Sequence, residues 1–295
     1  MPTTSRGGIV LAPARTPSRR RRWGVRLVLL ALVAALGYAG WAAYRGVFVD
    51  LIPDSCVATA GRTQVGVSPE QAANAATIAA ISVNRGMPPR AATIAIATAM
   101  QESKLRNLRV GDRDSLGLFQ QRPSQGWGTA EQILDPVYAA NAFYDALAKV
   151  KDYPSRPLTE VAQQVQRSAY PEAYAQHEDE ADVLASVLTG GVRAGLVCRL
   201  DAASSAGDPG ALREALERQL GTGSSASGST VTVEASGTRG WAAAAWAVAH
   251  AQARSVTTVR VEDRVWSRAA PDAWLAGAAP DAGGPGVRVV VATRG

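Results

Sequence analysis

The chain is poor in the residues that build metal centres and disulfide frameworks. Among 295 residues there are two cysteines and two histidines. Two cysteines are too few for a disulfide-dense scaffold or a cysteine-rich zinc site. His177 and His250 cannot make a three-histidine centre, and no cofactor or metal is implied. Net positive charge is also missing outside one short segment. Seven arginines and no acid fall in residues 1–26, more than the whole formal net charge of +6, so the rest of the chain is slightly acidic. That argues against a nucleic-acid partner, which needs its charge on a folded face. What the chain does have is apolar residues, 47% of the total, enough for a core and incompatible with wholesale disorder. No internal repeat is visible.

Residues 1–26, rich in Arg, Pro, Ser and Thr, read as a disordered basic tail. Residues 27–44 carry no charge, and at 1.5 Å per residue these 18 nearly cross a hydrocarbon core of roughly 30 Å. Trp23, Trp41 and Tyr44 flank them as interfacial aromatics do. The expectation is one N-terminal transmembrane helix, single-pass in the cell membrane, with the arginine tail cytoplasmic and everything beyond Arg45 extracellular. The alternative is a cleaved signal peptide. That would have an apolar region of about 7–15 residues and a small-residue cleavage site, which Tyr44-Arg45-Gly46-Val47-Phe48 does not supply.

Residues 45–66 read as a spacer carrying Cys56. Residues 67–200 read as a mainly helical domain. Ser68-Pro69-Glu70-Gln71 signals a helix start, with serine as cap, proline in the first turn and glutamine three residues after the cap. An Ala/Ile-rich buried helix is expected over 90–105 and an irregular glycine-rich insert over 106–128. Asp135-Pro136, Thr159 and Glu172 open three further helices. Cys56 and Cys198 bracket this unit, and in an oxidising compartment they could pair; the alternative is two buried free thiols. Residues 201–229 read as a linker with a short helix at 211–220. Residues 230–295, with strands at 230–234, 256–261 and 287–292 and an alanine-rich helix at 241–253, read as a small α/β domain.

The informative stretch is 101–128. Glu102 ends a buried apolar helix, where partial desolvation raises a carboxyl pKa and suits it to be a general acid. Glu102-Ser103 is followed 15 residues later by Gly117-Leu118-Phe119-Gln120. This arrangement resembles the lysozyme-like superfamily (α+β), in particular its soluble lytic transglycosylase type of peptidoglycan hydrolase, which carries Glu-Ser, a polar stretch and Gly-Leu-Met-Gln at that offset. Asp135-Pro136 with Leu147 resembles part of a third block, although Ala139, Phe143 and Ala146 replace its asparagine, glycine and tyrosine. Ala169-Tyr170 resembles the start of a fourth, which continues Pro171-Glu172-Ala173 rather than Asn-Ala-Gly. The likeness spans about residues 68–190.

The resemblance implies roles. Glu102 would protonate the glycosidic oxygen of peptidoglycan between MurNAc and GlcNAc and then act as base. Ser103 would orient groups, Gly117 would let backbone approach the sugar, and Leu118 and Gln120 would line the cleft. Tyr170 would face Glu102 across it. Hydrolysis would call for a second carboxylate, for which Asp112 and Asp114 are the near candidates. The resemblance points instead to a non-hydrolytic route using the substrate's own N-acetyl and C6 hydroxyl groups. Arg122 and Trp127 could contact peptide carboxylate and sugar face. The 239–268 region looks distantly like D-alanyl-D-alanine carboxypeptidase relatives but lacks their last-strand histidines, so the C-terminal domain is expected to be non-catalytic. The expected partners are glycan strands, the membrane, and cell-wall or division proteins. The competing reading is a non-enzymatic wall-binding or division-associated protein with a degenerate lysozyme-like fold.

Overall fold

Cys56, Ala58 and Val65 turn inward from two short strands joined through Gly61, whose φ of +60° closes the turn. They form a hairpin of β1 (Ser55–Ala60) and β2 (Thr63–Val67) where the sequence suggested a spacer. The computed structural model describes residues 31–38, 53–166, 171–277 and 286–291. Strand β3 (Leu196–Arg199) pairs antiparallel with β1, giving the order β2-β1-β3. Cys56 stands opposite Cys198 in that register, and the two form a disulfide.

Residues 31–38 are helical (α1). Several of the helices that follow start where the capping chemistry places them. Ser68 and Gln71 make a reciprocal capping box at α2 (Pro69–Asn84). Pro89 opens α3 (Pro89–Ser103), in which every residue from Ala91 to Ala99 is buried. After α4 (Ala130–Ile133), Asp135 caps α5 (Pro136–Leu147) by accepting from the Val137 amide at 3.0 Å. Next come α6 (Leu158–Gln166), which already contains Thr159, a 3-10 stretch over Pro171–His177 where Glu172 was expected to open a helix, and α7 (Glu178–Leu188). Asp208 caps α8 (Pro209–Leu220).

The remaining chain supplies β4 (Ser224–Ser227), β5 (Thr230–Val233), α9 (Gly237–Ala249), β6 (Val256–Val261), β7 (Arg264–Ser267), β8 (Ala270–Ala276) and β9 (Val287–Val291). Its six strands form one antiparallel sheet in the order β4-β5-β9-β6-β7-β8. Helix α9 is apolar on every face, and all residues from Gly240 to Ala249 are buried. Such a helix needs protein on all sides. It packs on α2, α7 and β3 as well as on β6 and β9. Trp246 Nε1 donates to Gln219 at 2.7 Å and Trp274 Nε1 to the Leu196 carbonyl at 2.8 Å. Gly190, at the end of α7, lies so close to α9 that a Cβ there would sit 1.9 Å from the Thr238 carbonyl oxygen. Residues Asp54–Gly295 are consequently one compact unit.

The expected architecture is therefore corrected. It was a mainly α domain behind a transmembrane helix, with a small α/β domain appended. The described residues are α+β, with 48% helix and 21% strand, and the C-terminal helix and sheet share the core of the helical half. Short serine- and alanine-rich strands such as β4 carry no apolar alternation and read as linker. Among the described residues no helix is long and apolar enough to cross a membrane. Apart from residues 31–38, the 27–44 segment and the 1–26 tail lie outside the described residues.

Candidate active site

Helix α3 ends in two successive non-glycine residues in the left-handed region, Lys104 at φ 55° and Leu105 at φ 57°. Each costs of order 1 kcal/mol. Side chains of α2 hold them there: Gln71 Nε2 donates to the Lys104 carbonyl at 2.9 Å and Asn74 Nδ2 to the Leu105 carbonyl at 2.8 Å. The turn buries Leu105 and sends the chain into the 106–128 insert, which folds back on the helix end carrying Glu102.

One contact joins that helix end to the Gly117–Gln120 turn, and a second ties the turn to α6. Ser103 Oγ donates to the Leu118 carbonyl at 2.7 Å while also reaching the Ala99 carbonyl at 3.0 Å. Gln166, the last residue of α6, donates through Nε2 to the Phe119 carbonyl at 2.6 Å. The two halves of the motif, 15 residues apart in sequence, are thus clamped together in space. Leu118 and Phe119 are fully buried, and Phe119 stacks on Phe143 of α5 with ring centroids 4.6 Å apart. Gly117 has φ +75°, and a Cβ there would lie 2.7 Å from the Ile133 carbonyl oxygen, so its glycine is required by packing against α4. Gln120 Nε2 braces the turn from inside by donating to the Gly117 carbonyl at 3.2 Å.

The Glu102 side chain is largely buried, and burial raises its pKa above the usual carboxylate value. Hydrogen bonds from Tyr174 and Gln166 pull the other way without overcoming burial. Tyr174 Oη donates to Glu102 Oε1 at 2.7 Å. Among the described residues no cation pairs with the carboxyl. Its place at the negative end of the α3 dipole acts in the same direction as burial. The group is therefore able to keep a proton nearer neutral pH than an exposed glutamate and to give it up.

No family model matches the chain, and no curated protein does.

The other sequence candidates fall into four groups. Asp114 is a brace: it accepts from Arg122 Nε at 2.6 Å and from the Ser124 amide at 2.9 Å. The Ser124 amide and hydroxyl, and then Arg122, hold its carboxyl well below the usual range, so it stays ionised. Arg122 is committed to that pair, and Asp112 is exposed beside Arg113. Trp127 is half-buried and lines a cavity of about 430 Å³ with Tyr138, Lys149 and Gln164; Glu102 is not among the lining residues. Tyr170 lies outside the described residues.

Tyr174 and Gln166 were missed. Tyr174 carried a signal, because Ala-Tyr occurs twice in Ala169-Tyr170-Pro171-Glu172-Ala173-Tyr174 and only the first copy was matched. Gln166 carried none, since a glutamine at a helix end is ordinary surface chemistry.

His250 belongs to the core. Its Nδ1 faces the Trp246 carbonyl at 2.9 Å and so donates. Nε2, 3.3 Å from Thr77 Oγ1, then accepts. Burial pushes its pKa down to about 3. Among the described residues no group of three or more His, Cys, Asp or Glu side chains could hold a metal ion. Trp241, Trp246, Trp266 and Trp274 are all buried.

Proposed function

We propose that the protein cleaves the β-1,4 bond between MurNAc and GlcNAc in peptidoglycan, with Glu102 as the single acid/base. The observation that carries this reading is the Glu102 carboxyl itself. It is desolvated, lacks a cation among the described residues, and accepts from the neutral Tyr174 hydroxyl beside the Gly-Leu-Phe-Gln turn. The resemblance to lytic transglycosylases rests on that same pair of segments. Two residues that depart from the family pattern, Phe119 and Phe143, pack on each other, with ring centroids 4.6 Å apart.

In the reaction, protonated Glu102 gives its proton to the glycosidic oxygen as the C1–O4 bond breaks. The substrate's N-acetyl oxygen stabilises the cationic C1. The Glu102 carboxylate then takes the proton of the C6 hydroxyl, whose oxygen closes on C1 to leave a 1,6-anhydro-muramyl end. No second carboxylate is needed, which accords with Asp114 being committed to Arg122. The disulfide supports a site of action outside the reducing cytosol.

The test is release of muropeptides from purified peptidoglycan by the full-length chain, with products identified by mass spectrometry. Native protein is expected to yield anhydro ends, and Glu102→Gln none while remaining folded. Equal binding without cleavage by both forms would favour the non-enzymatic wall-binding reading. Reducing ends would replace transglycosylation with hydrolysis.

A further inference from the structure

We propose that the cleft between the loop 125–128, α5 and α6 is a saccharide-binding subsite, which seats a glycan unit away from the bond that Glu102 cleaves. The cavity holds about 430 Å³, within the roughly 300–1,000 Å³ of ligand pockets. Two aromatic side chains, Trp127 and Tyr138, line it together with Gln125, Asp145, Lys149 and Gln164. A sugar ring has an apolar C–H face and hydroxyl or amide groups around its rim. Aromatic faces bordered by hydrogen-bonding groups are its complement.

The loop is held in shape from both ends. Asp114 takes Arg122 Nε and the Ser124 amide before it, and the Thr129–Gln132 capping box follows it. Gly126 and Gly128 flank Trp127 at φ +79° and +130°, a backbone that L side chains rarely adopt. A Cβ at Gly128 would lie 2.6 Å from Tyr138 Oη, so the glycine lets the Tyr138 side chain lie against the loop. Trp127 packs on the hydrophobic core and also lines the cavity. The lining groups are uncommitted. Among the described residues the side chains of Gln125, Trp127, Tyr138 and Lys149 have no hydrogen-bond or ion-pair partner. Gln164 gives only its Oε1, to Arg156, and Asp145 only its Oδ1, to Arg85. Asp114, Arg122 and Gln120, by contrast, are engaged within the fold. Free amide, indole and phenol groups supply both donors and acceptors to hydroxyl and acetamido groups. Glu102 does not line the cavity, so a unit seated here does not react. Its binding is the same in ground and transition states and acts on KM rather than kcat. Binding here does not depend on cleavage; its part in turnover rests on the reading proposed above.

The experiment titrates the full-length protein with tetra-N-acetylchitotetraose and follows the Trp127 indole N–H resonance by NMR, assigned by its loss in Trp127→Phe. A saturable shift is expected. Gln125→Ala/Lys149→Ala removes two exposed side chains, and Ala142→Phe fills the cavity from α5. Each is expected to weaken binding about fivefold or more. Circular dichroism and thermal melting check both folds. On peptidoglycan the same variants should raise KM by a similar factor and leave kcat within about twofold of native. An indole resonance that does not shift overturns the proposal, as does binding that neither variant weakens. Binding that the variants weaken, in a protein that releases no muropeptides, supports the subsite and overturns the glycan-cleaving reading. Muropeptide release with KM unaltered in both variants overturns the subsite's part in turnover and leaves the cleavage reading standing.

Discussion

Replacing both cysteines by alanine removes the one covalent cross-link among the described residues. Cys56 and Cys198 are 142 residues apart and both fully buried. Closing a loop of that length in the unfolded chain removes about 17 cal/mol/K of entropy, or about 5 kcal/mol at 25 °C. A compact denatured state lowers this somewhat. Against a typical domain stability of about 5–15 kcal/mol, the loss brings the protein near the edge of folding. Urea unfolding of the full-length chain, native against Cys56→Ala/Cys198→Ala, measures the difference. The variant should also show a larger m-value, because its unfolded state expands further. In the native protein neither sulfur should react with an alkylating reagent until the chain unfolds. A loss below about 1 kcal/mol with an unchanged m-value would refute the loop-entropy reasoning, and thiols alkylated in the native state would refute the disulfide.

Three further outcomes are expected. His250 is neutral in the fold down to about pH 3, whereas an unfolded histidine protonates near 6.5; stability therefore falls as pH drops through that window, by up to about 1.4 kcal/mol per unit. His250→Phe should flatten this part of the pH–stability curve, and an identical slope in both proteins would exclude the histidine as its source. Glu102→Gln should raise Tm at pH 7 and lose that advantage near pH 4, because a carboxyl with a raised folded pKa penalises the fold only where it is ionised; calorimetry at several pH values checks this, and a gain independent of pH counts against it. Gly190→Ala should cost at least about 2 kcal/mol by chemical denaturation, since φ is +82° and the new methyl would meet the Thr238 carbonyl; a neutral result would mean that α7 and α9 are not packed so closely.

Much of the local structure was legible. The Ser68 box, Asp135 and Pro136, and the β-branched run of β6 placed their elements because caps, prolines and side-chain branching act within a few residues. The Glu-Ser and Gly-Leu-Phe-Gln segments were visible as a spacing. The strands β1, β2 and β4 were not, because what defines them is a partner: Cys56 pairs with Val67 on one side and Cys198 on the other. The membrane-spanning expectation came from the uncharged run, its flanking aromatics and the arginine tail, and the 27–44 segment lies mostly outside the described residues.

The sequence by itself determined where α2 and α5 begin, that two cysteines frame the helical half, and that one glutamate sits at the close of an apolar helix. Only the tertiary structure decided that this glutamate is gripped by Tyr174, 72 residues on, beside a turn that Gln166 holds at Phe119 across 47 residues. It also decided that α9 is shared between helices and sheet. The reason is the range of the forces: capping and turn preferences act along a few residues of backbone, whereas desolvation of a carboxyl, or burial of a helix on every face, depends on which distant segments close over it.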